Sequence, residues 1–345
     1  MDQGISSEAR KQARERFLFF SRKETRGRCP VYEDLGLRIA EDPDLIDVIS
    51  SFPGNKRQPN LLLASLRRLL GHVPSFEEAR AIMPGQPDDL LRIVLSRSTQ
   101  TNEPGRCATL LPLLCRFPQP LALLEIGASA GLCLVPDRYS HAFNGTVLRG
   151  SSSRQEVVMH CKTYGHVPVP DALPAVAWRA GLDTNPLDVA DPEQRAWLEL
   201  LVWPSEHARL ARLRAATDIA SEEEIHLEEG NLHADDLDRL CARAPKDATL
   251  VVFHSAVLSC THDQAQRDAF ARRVGDLTDH WVSNESPMLF SDFGSEMADE
   301  RPGSDFLMAL NGSPIAWADP HGAHVTWVDG DDGPSLTGRH RERPA

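Results

Sequence analysis

No apolar run in the sequence reaches the length needed to cross a bilayer, which excludes membrane-spanning helices. The polar N-terminus, MDQGISSEARKQARERF, has no apolar core of the signal-peptide kind, so a cytoplasmic protein without a membrane partner is expected. Positive charge is in short supply: 37 Lys and Arg face 50 Asp and Glu, for a net charge of −13. Extended phosphate backbones are gripped by cations, so no nucleic-acid partner is expected. The seven cysteines are scattered and form no C-x-x-C, which argues against a zinc ribbon or a thioredoxin-type site and for reduced, buried thiols. Thirteen histidines form no H-x-H or H-E-x-x-H pattern. His321 and His324, in a turn, come nearest to a cluster, and no metal is expected. Internal repeats are absent as well.

What is present centres on Leu121–Leu134, LALLEIGASAGLCL. An apolar run leads into Glu125-Ile126-Gly127 and the small residues Ala128-Ser129-Ala130-Gly131. Such a run reads as a buried parallel strand turning tightly into a helix from Leu132. Small residues admit a ligand to the backbone, a helix N-terminus offers free N–H groups, and Glu125 is placed to accept hydrogen bonds from a polar ligand. The second glycine of a G-x-G-x-x-G fingerprint is replaced by Ser129, and the Gly-Lys-Ser/Thr ending of a P-loop is missing. The turn instead resembles the first motif of class I S-adenosylmethionine (SAM) methyltransferases.

With 345 residues, 41% of them apolar, the chain can form one large domain or two. From Glu8 to about Pro118 the pattern is helical. Asn60 is expected to cap an apolar helix over 61–70, and Ser75 with Glu78 forms a capping-box pattern. Arg97–Arg106 is a dense polar loop, either a solvated linker or a set of groups converging on a ligand. From Leu121 onward apolar strands alternate with helices, which predicts a doubly wound α/β domain. Asp183 ends a strand after a glycine, like the acidic residue that binds ribose hydroxyls, yet it lies much further from Gly127 than the usual interval of about 20 residues, so an insertion must intervene. His254 ends a strand whose C-terminus should face the Gly127 crevice, as a general base, a positioning group or a structural histidine.

Together these segments resemble a bacterial family known only as domain of unknown function 2332, grouped with the SAM-methyltransferase-like Rossmann folds. The matching residues are RSTQTNEPGR (97–106), LEIGASAGL (124–132), Asp137-Arg138-Tyr139, WRAGLDTNPLDV (178–189), WLELLVWP (197–204), VFHSAVL (252–258) and Pro320-His321-Gly322. The resemblance implies a Rossmann-like α/β sheet domain, placed over 119–330; the helical pattern predicts an α-helical region over 1–118 before it, and the charged, turn-rich composition predicts a disordered tail, 331–345. The resemblance also implies SAM as cofactor. Glu125, Gly127, Ala128, Ser129, Gly131, Asp183, Asn231 and Phe253 would contact the cofactor. Arg97, Gln100, Thr101, Glu103 and Arg106 would hold substrate, and His254, Ser255 and Asn102 would serve catalysis. The helical region and the 100–103 loop would close over the site.

Three readings stay open. Methyl transfer to a small molecule leads, with a homodimer as a possible assembly. Use of the aminocarboxypropyl arm of SAM, by group transfer or by ring closure that expels methylthioadenosine, comes second. A catalytically silent SAM-binding module is third. It is motivated by Cys133 and Asn231, which depart from the residues the family pattern leads one to expect.

Overall fold

A computed structural model describes residues 6–85, 87–152, 156–261, 263–291, 297 and 300–328; the expected disordered tail at 331–345 lies outside the described residues. The chain divides into two units, Met1–Thr101 with Asp191–Arg214, and Asn102–Ala190 with Ala215–Ala345. The division therefore falls at residue 101 rather than near 118, and a later stretch joins the first unit.

That first unit is helical: α1 (Ser7–Phe19, continued by a π-helical turn over Phe20–Glu24), α2 (Pro30–Glu41), α3 (Pro43–Ser51), α4 (Pro59–Leu70), α5 (Phe76–Ile82) and α6 (Asp88–Ser96). Proline opens α2, α3 and α4, where a missing N–H loses no helical bond. The core gathers Phe17, Tyr32, Leu45, Ile49 and Leu61, and it takes in Trp197 and Leu201 from the later stretch. After α7 (Arg106–Leu114), which belongs to the second unit, that stretch carries α8 (Pro192–Leu201) and the start of α9 (His207–Ala220). The last carbonyls of α8 lack helical partners. Arg67 of α4 donates to Leu200 O and Val202 O at 2.8 Å each, and Asn60 Nδ2 donates to Leu201 O at 3.2 Å. Asn60 is thus not the expected cap of α4: Gln58 holds that position, Pro59 follows, and the Asn60 carboxamide turns to α8 instead.

The second unit is α/β, built on one eleven-stranded, mostly parallel sheet. Its strands are β1 (Leu121–Ile126), β2 (Ser140–Phe143), β3 (Thr146–Leu148), β4 (Val158–Tyr164), β5 (Val176–Asp183), β6 (His226–Glu229), β7 (Thr249–Ser255), β8 (Trp281–Glu285), β9 (Phe306–Leu310), β10 (Ser313–Ala318) and β11 (His324–Trp327). The spatial order is β3-β2-β4-β11-β10-β9-β8-β7-β1-β5-β6. The five strands β6, β5, β1, β7 and β8 run parallel, and β9 and β10 continue the sheet antiparallel. Every residue of β1 is buried, as its apolar run Leu121–Leu124 requires of a strand flanked on both edges, and Glu125 is buried with them. From β1 the chain builds outward through β5 and β6, then returns to β7 on the other side. In open α/β sheets such a reversal is where ligands bind, which makes the C-terminal ends of β1 and β7 the candidate site. Leu124, Ile126, Ala180, Leu182 and Val252 pack with Leu237 of α10 (Asp236–Cys241) and Phe270 of α11 (Gln264–Leu277).

The insertion demanded by the distant Asp183 is present as β2, β3 and β4, between β1 and β5. The helix expected from Leu132 is not: only a 3₁₀ turn spans Leu132–Leu134. Four consecutive buried side chains, Leu132 to Val135, leave no polar face for an amphipathic helix, and Pro136 follows. Tyr139 and Arg179 accordingly take over the carbonyls of this turn, donating to Leu132 O (2.9 Å) and Leu134 O (2.7 Å). Asp137 neutralises Arg179 at 2.8 Å.

The capping box at α5 forms as expected, with Ser75 N and Oγ donating to Glu78 and Glu78 N donating to Ser75 Oγ. The Ser75 backbone N–H, His72 and the Ser75 hydroxyl lower the Glu78 pKa to about 2. This contribution to stability should be complete above the unfolded carboxylate value and fade as pH falls toward 2. A carboxyl-detected NMR titration should place the Glu78 midpoint near 2, and Ser75→Ala should raise it toward an ordinary glutamate.

Candidate ligand site at the C-terminal edge of the sheet

Without a following helix, the turn after β1 must be held by side chains. Gly127, Ser129 and Gly131 all adopt positive φ, at 71°, 50° and 70°. For Ser129 this conformation costs roughly 1–2 kcal/mol, so its surroundings must impose it. Ser129 N donates to Asp183 Oδ2 at 2.8 Å, Ala130 N donates to Asn102 Oδ1 at 3.0 Å, and Asn102 Nδ2 donates to Ser129 Oγ at 2.7 Å. Leu187 N donates to Ser129 O at 2.9 Å. Asp183 Oδ1 accepts the Asn185 N–H at 2.8 Å. The amides that would cradle an anion after a nucleotide-binding strand are therefore taken by the protein's own acceptors.

The small residues have a packing reason too. A Cβ on Gly127 would lie 2.3 Å from Val257 Cγ2, and one on Gly181 of β5 would lie 2.4 Å from Ala128 Cβ. Gly127 is small because Val257, from the loop after β7, sits on it. Ala256 in that loop is a second non-glycine residue at positive φ, 61°.

Glu125, at the end of β1, is buried, and its Oε2 has no hydrogen-bond partner among the described residues. Burial pushes its pKa well above the ordinary range, Cys133 and Asp183 add to the rise, and the Arg106 guanidinium opposes it only in part. Glu103 and Arg106, expected to touch substrate, are instead buried structural groups. Arg106 donates to Pro320 O at 2.9 Å and to Ser255 O at 3.2 Å. Glu103 Oε1 accepts the Gly105 N–H at 3.0 Å, and its Oε2 lies 3.5 Å from His321 Nδ1. Gly105 and Gly322 meet backbone to backbone: a Cβ on Gly105 would lie 2.4 Å from His321 O, and one on Gly322 would lie 2.0 Å from Gly105 O. Two motifs more than two hundred residues apart thus interlock, and Arg106 ties them to the end of β7.

His254 occupies the strand end foreseen for it, opposite Ile126. Its side chain points to the other face of β7. It is fully buried, with Phe270 and Trp281 at 5.5 and 6.0 Å between ring centroids, and Nδ1 lies 2.8 Å from Glu285 Oε1. The same Glu285 oxygen accepts the N–H groups of Val257 (2.8 Å) and Leu258 (3.2 Å). His254 is therefore a positioning residue: through Glu285 it holds the loop that lays Val257 on Gly127. Strand alternation puts its neighbours Phe253 and Ser255 on the Glu125 face. Ser255 Oγ accepts from Asn284 Nδ2 at 3.1 Å, and Phe253 is buried. Asn231, just beyond β6, is exposed, with its Oδ1 accepting the His233 N–H at 2.9 Å.

The structure brings Asn102, Glu103, Arg106, Glu125, Gly127, Ser129, Asp183 and Ser255 to one edge of one sheet. Arg97, Gln100 and Thr101 belong to the helical unit. Arg97 lies 5.8 Å over the Trp197 ring and 3.6 Å from Glu193, so it braces α8 rather than serving as a free substrate ligand. Sequence reasoning gave no role to Val257, although it lies within VFHSAVL, and missed Asn284 and Glu285, which carry no motif and become neighbours of the turn only through the pairing of β7 with β8.

Gly127→Ala should cost at least about 2 kcal/mol by denaturant unfolding, from the positive φ and the clash with Val257. Adding Val257→Ala should recover part of that loss, and the φ penalty should remain, so the double-mutant cycle should show a coupling of about 1 kcal/mol.

A search of curated proteins finds no match to this sequence. One family profile, described as an uncharacterized protein conserved in bacteria (DUF2332), matches residues 14–327. That span takes in the helices of the first unit, the β1 turn and the interlocked motifs, and the chain belongs to this family.

Proposed function

We propose that the site at the C-terminal ends of β1 and β7 binds SAM and that the protein is a SAM-dependent transferase acting on a small molecule, with methyl transfer as its reaction. The observation that carries this reading is the row of acceptors at the ends of consecutive parallel strands: Glu125 on β1, Asp183 on β5 and Asn231 after β6. The Rossmann-like parallel order supports it, since the strand sequence reverses beside Glu125.

The polar groups fit a ligand rich in donors and poor in anionic charge. The amides at 129 and 130 are already bonded, so a phosphate would find no cradle there. An ammonium and ribose hydroxyls would instead meet the unpartnered Glu125 oxygen and the Asp183 carboxylate. When bound, SAM supplies a sulfonium-activated methyl group. The chain's part is to orient it: Asp183 and Asn102 keep the turn rigid, and Glu285 and His254 hold the loop at 256–258. Transfer of this kind rests on proximity and alignment and requires no dedicated base.

Calorimetry with SAM should detect binding, and its absence would overturn the proposal. Asn231→Ala, at an exposed position outside the core, should weaken binding about five- to tenfold, the worth of one hydrogen bond, with the melting temperature unchanged. Mass spectrometry should then find S-adenosylhomocysteine when SAM and cell extract are supplied together. Methylthioadenosine from SAM alone would assign the aminocarboxypropyl chemistry. Binding without either product would assign a silent binding module.

A further inference from the structure

The turn that receives Arg106 also borders a second cluster, on the antiparallel side of the sheet. Asp305 precedes β9, Asp319 follows β10 and His324 opens β11. Because these strands are hydrogen-bonded neighbours, with Ala318 opposite both Phe306 and Val325, the three side chains emerge at one sheet end. One ligand atom from each lies within 4.8 Å of the other two, the only such group of His, Cys, Asp and Glu among the described residues.

We propose that Asp305, Asp319 and His324 form a binding site for a divalent transition-metal ion. The distances suit it. Imidazole nitrogen and carboxylate oxygen bind such ions at about 2.0–2.2 Å, which sets neighbouring ligand atoms roughly 3 Å apart and opposed ones little over 4 Å. His324 Nε2 and Asp305 Oδ2 stand 2.7 Å apart, and all three ligand atoms lie within 4.8 Å of one another, close to that larger span. The ligands are held in advance. Asp319 Oδ1 accepts the N–H groups of His321 (2.9 Å) and Ala323 (3.1 Å), which fixes its carboxylate, and the Tyr164 ring meets the His324 ring edge-on at 6.0 Å. Asp305 is buried, and its carboxylate has His324 as its one side-chain hydrogen-bond partner among the described residues. Among the described residues Asp305 meets one imidazole and Asp319 only backbone N–H groups, so the pair of carboxylates carries negative charge that a dication would neutralise. One nitrogen and two oxygen donors favour Zn²⁺ or Mn²⁺ over Ca²⁺ or Mg²⁺, which prefer oxygen alone. Asp319 and His324 are half-exposed, so water can complete the coordination.

The role is structural. Asp319 opens the turn Asp319-Pro320-His321-Gly322, whose Pro320 carbonyl holds Arg106 and whose Gly322 packs on Gly105. An ion here would clamp the segment on which the buried Arg106 depends. No short motif announces the site, because each ligand comes from a different strand.

The test uses the untagged full-length chain, stripped with a chelator and then titrated with Zn²⁺ by calorimetry and with Mn²⁺ by electron paramagnetic resonance of the free ion. One ion per chain should bind, and the melting temperature should rise with it. Asp319→Asn keeps an oxygen for the His321 and Ala323 amides and removes only charge, so it should fold. It should weaken binding about tenfold or more, as should His324→Ala. His72→Ala, an exposed histidine in the helical unit, should bind as the wild type does. Failure of the wild type to bind either ion would overturn the proposal, and so would unchanged affinity in Asp319→Asn.

Discussion

The turn that follows β1 reverses the chain through three left-handed residues and enters no helix. In most strand–turn–helix units the helix supplies the hydrogen bonds and the dipole that keep such a turn in place. Here side chains from distant segments do that work. Asp183 and Asn102 hold the amides, Tyr139 and Arg179 hold the carbonyls further on, and Val257 fills the space above Gly127. Asn102, Tyr139, Arg179 and Asp183 all hydrogen-bond to backbone of this turn, and Asp137 pairs with Arg179.

A second consequence is a dense set of buried polar groups at the same edge. Arg106, Glu103, Glu125, Glu285 and His254 are all withdrawn from solvent. Buried charge is tolerated only where it is paired or neutralised. Arg106 spends its guanidinium on two backbone carbonyls, burial pushes the Glu125 carboxyl well above the usual range, and one Glu285 oxygen accepts two backbone N–H groups and meets the His254 imidazole. The network is not fully satisfied: Glu125 Oε2, His254 Nε2 and Glu285 Oε2 are buried with no hydrogen-bond partner among the described residues. These contacts also turn expected substrate ligands and an expected general base into framework, while Asp183 and Asn231 stay at the less buried ends of their strands.

Several elements were legible from local pattern. The apolar run of β1, the helices of the first unit, the capping box at Ser75 and the insertion ahead of Asp183 all rest on near-neighbour chemistry or on spacing, and all are present. Asn60 was misplaced because Pro59 already satisfies the start of α4, so its carboxamide is free for α8. The absent helix after Gly131 has a similar cause. An apolar run alone does not distinguish a helix start from a buried loop when its carbonyls have partners far along the chain.

By itself, the sequence determined that this is an α/β protein with a helical leading region, that β1 is buried on both faces, and that the turn after it is glycine-dependent. Period, apolar content and backbone permissiveness are properties of short stretches. Only the tertiary structure decided which face His254 takes, what fills the space above Gly127, that residues 191–214 pack with the first unit, and that Asp305, Asp319 and His324 converge. Those outcomes depend on strand order and register, which bring together residues that no short window of sequence contains.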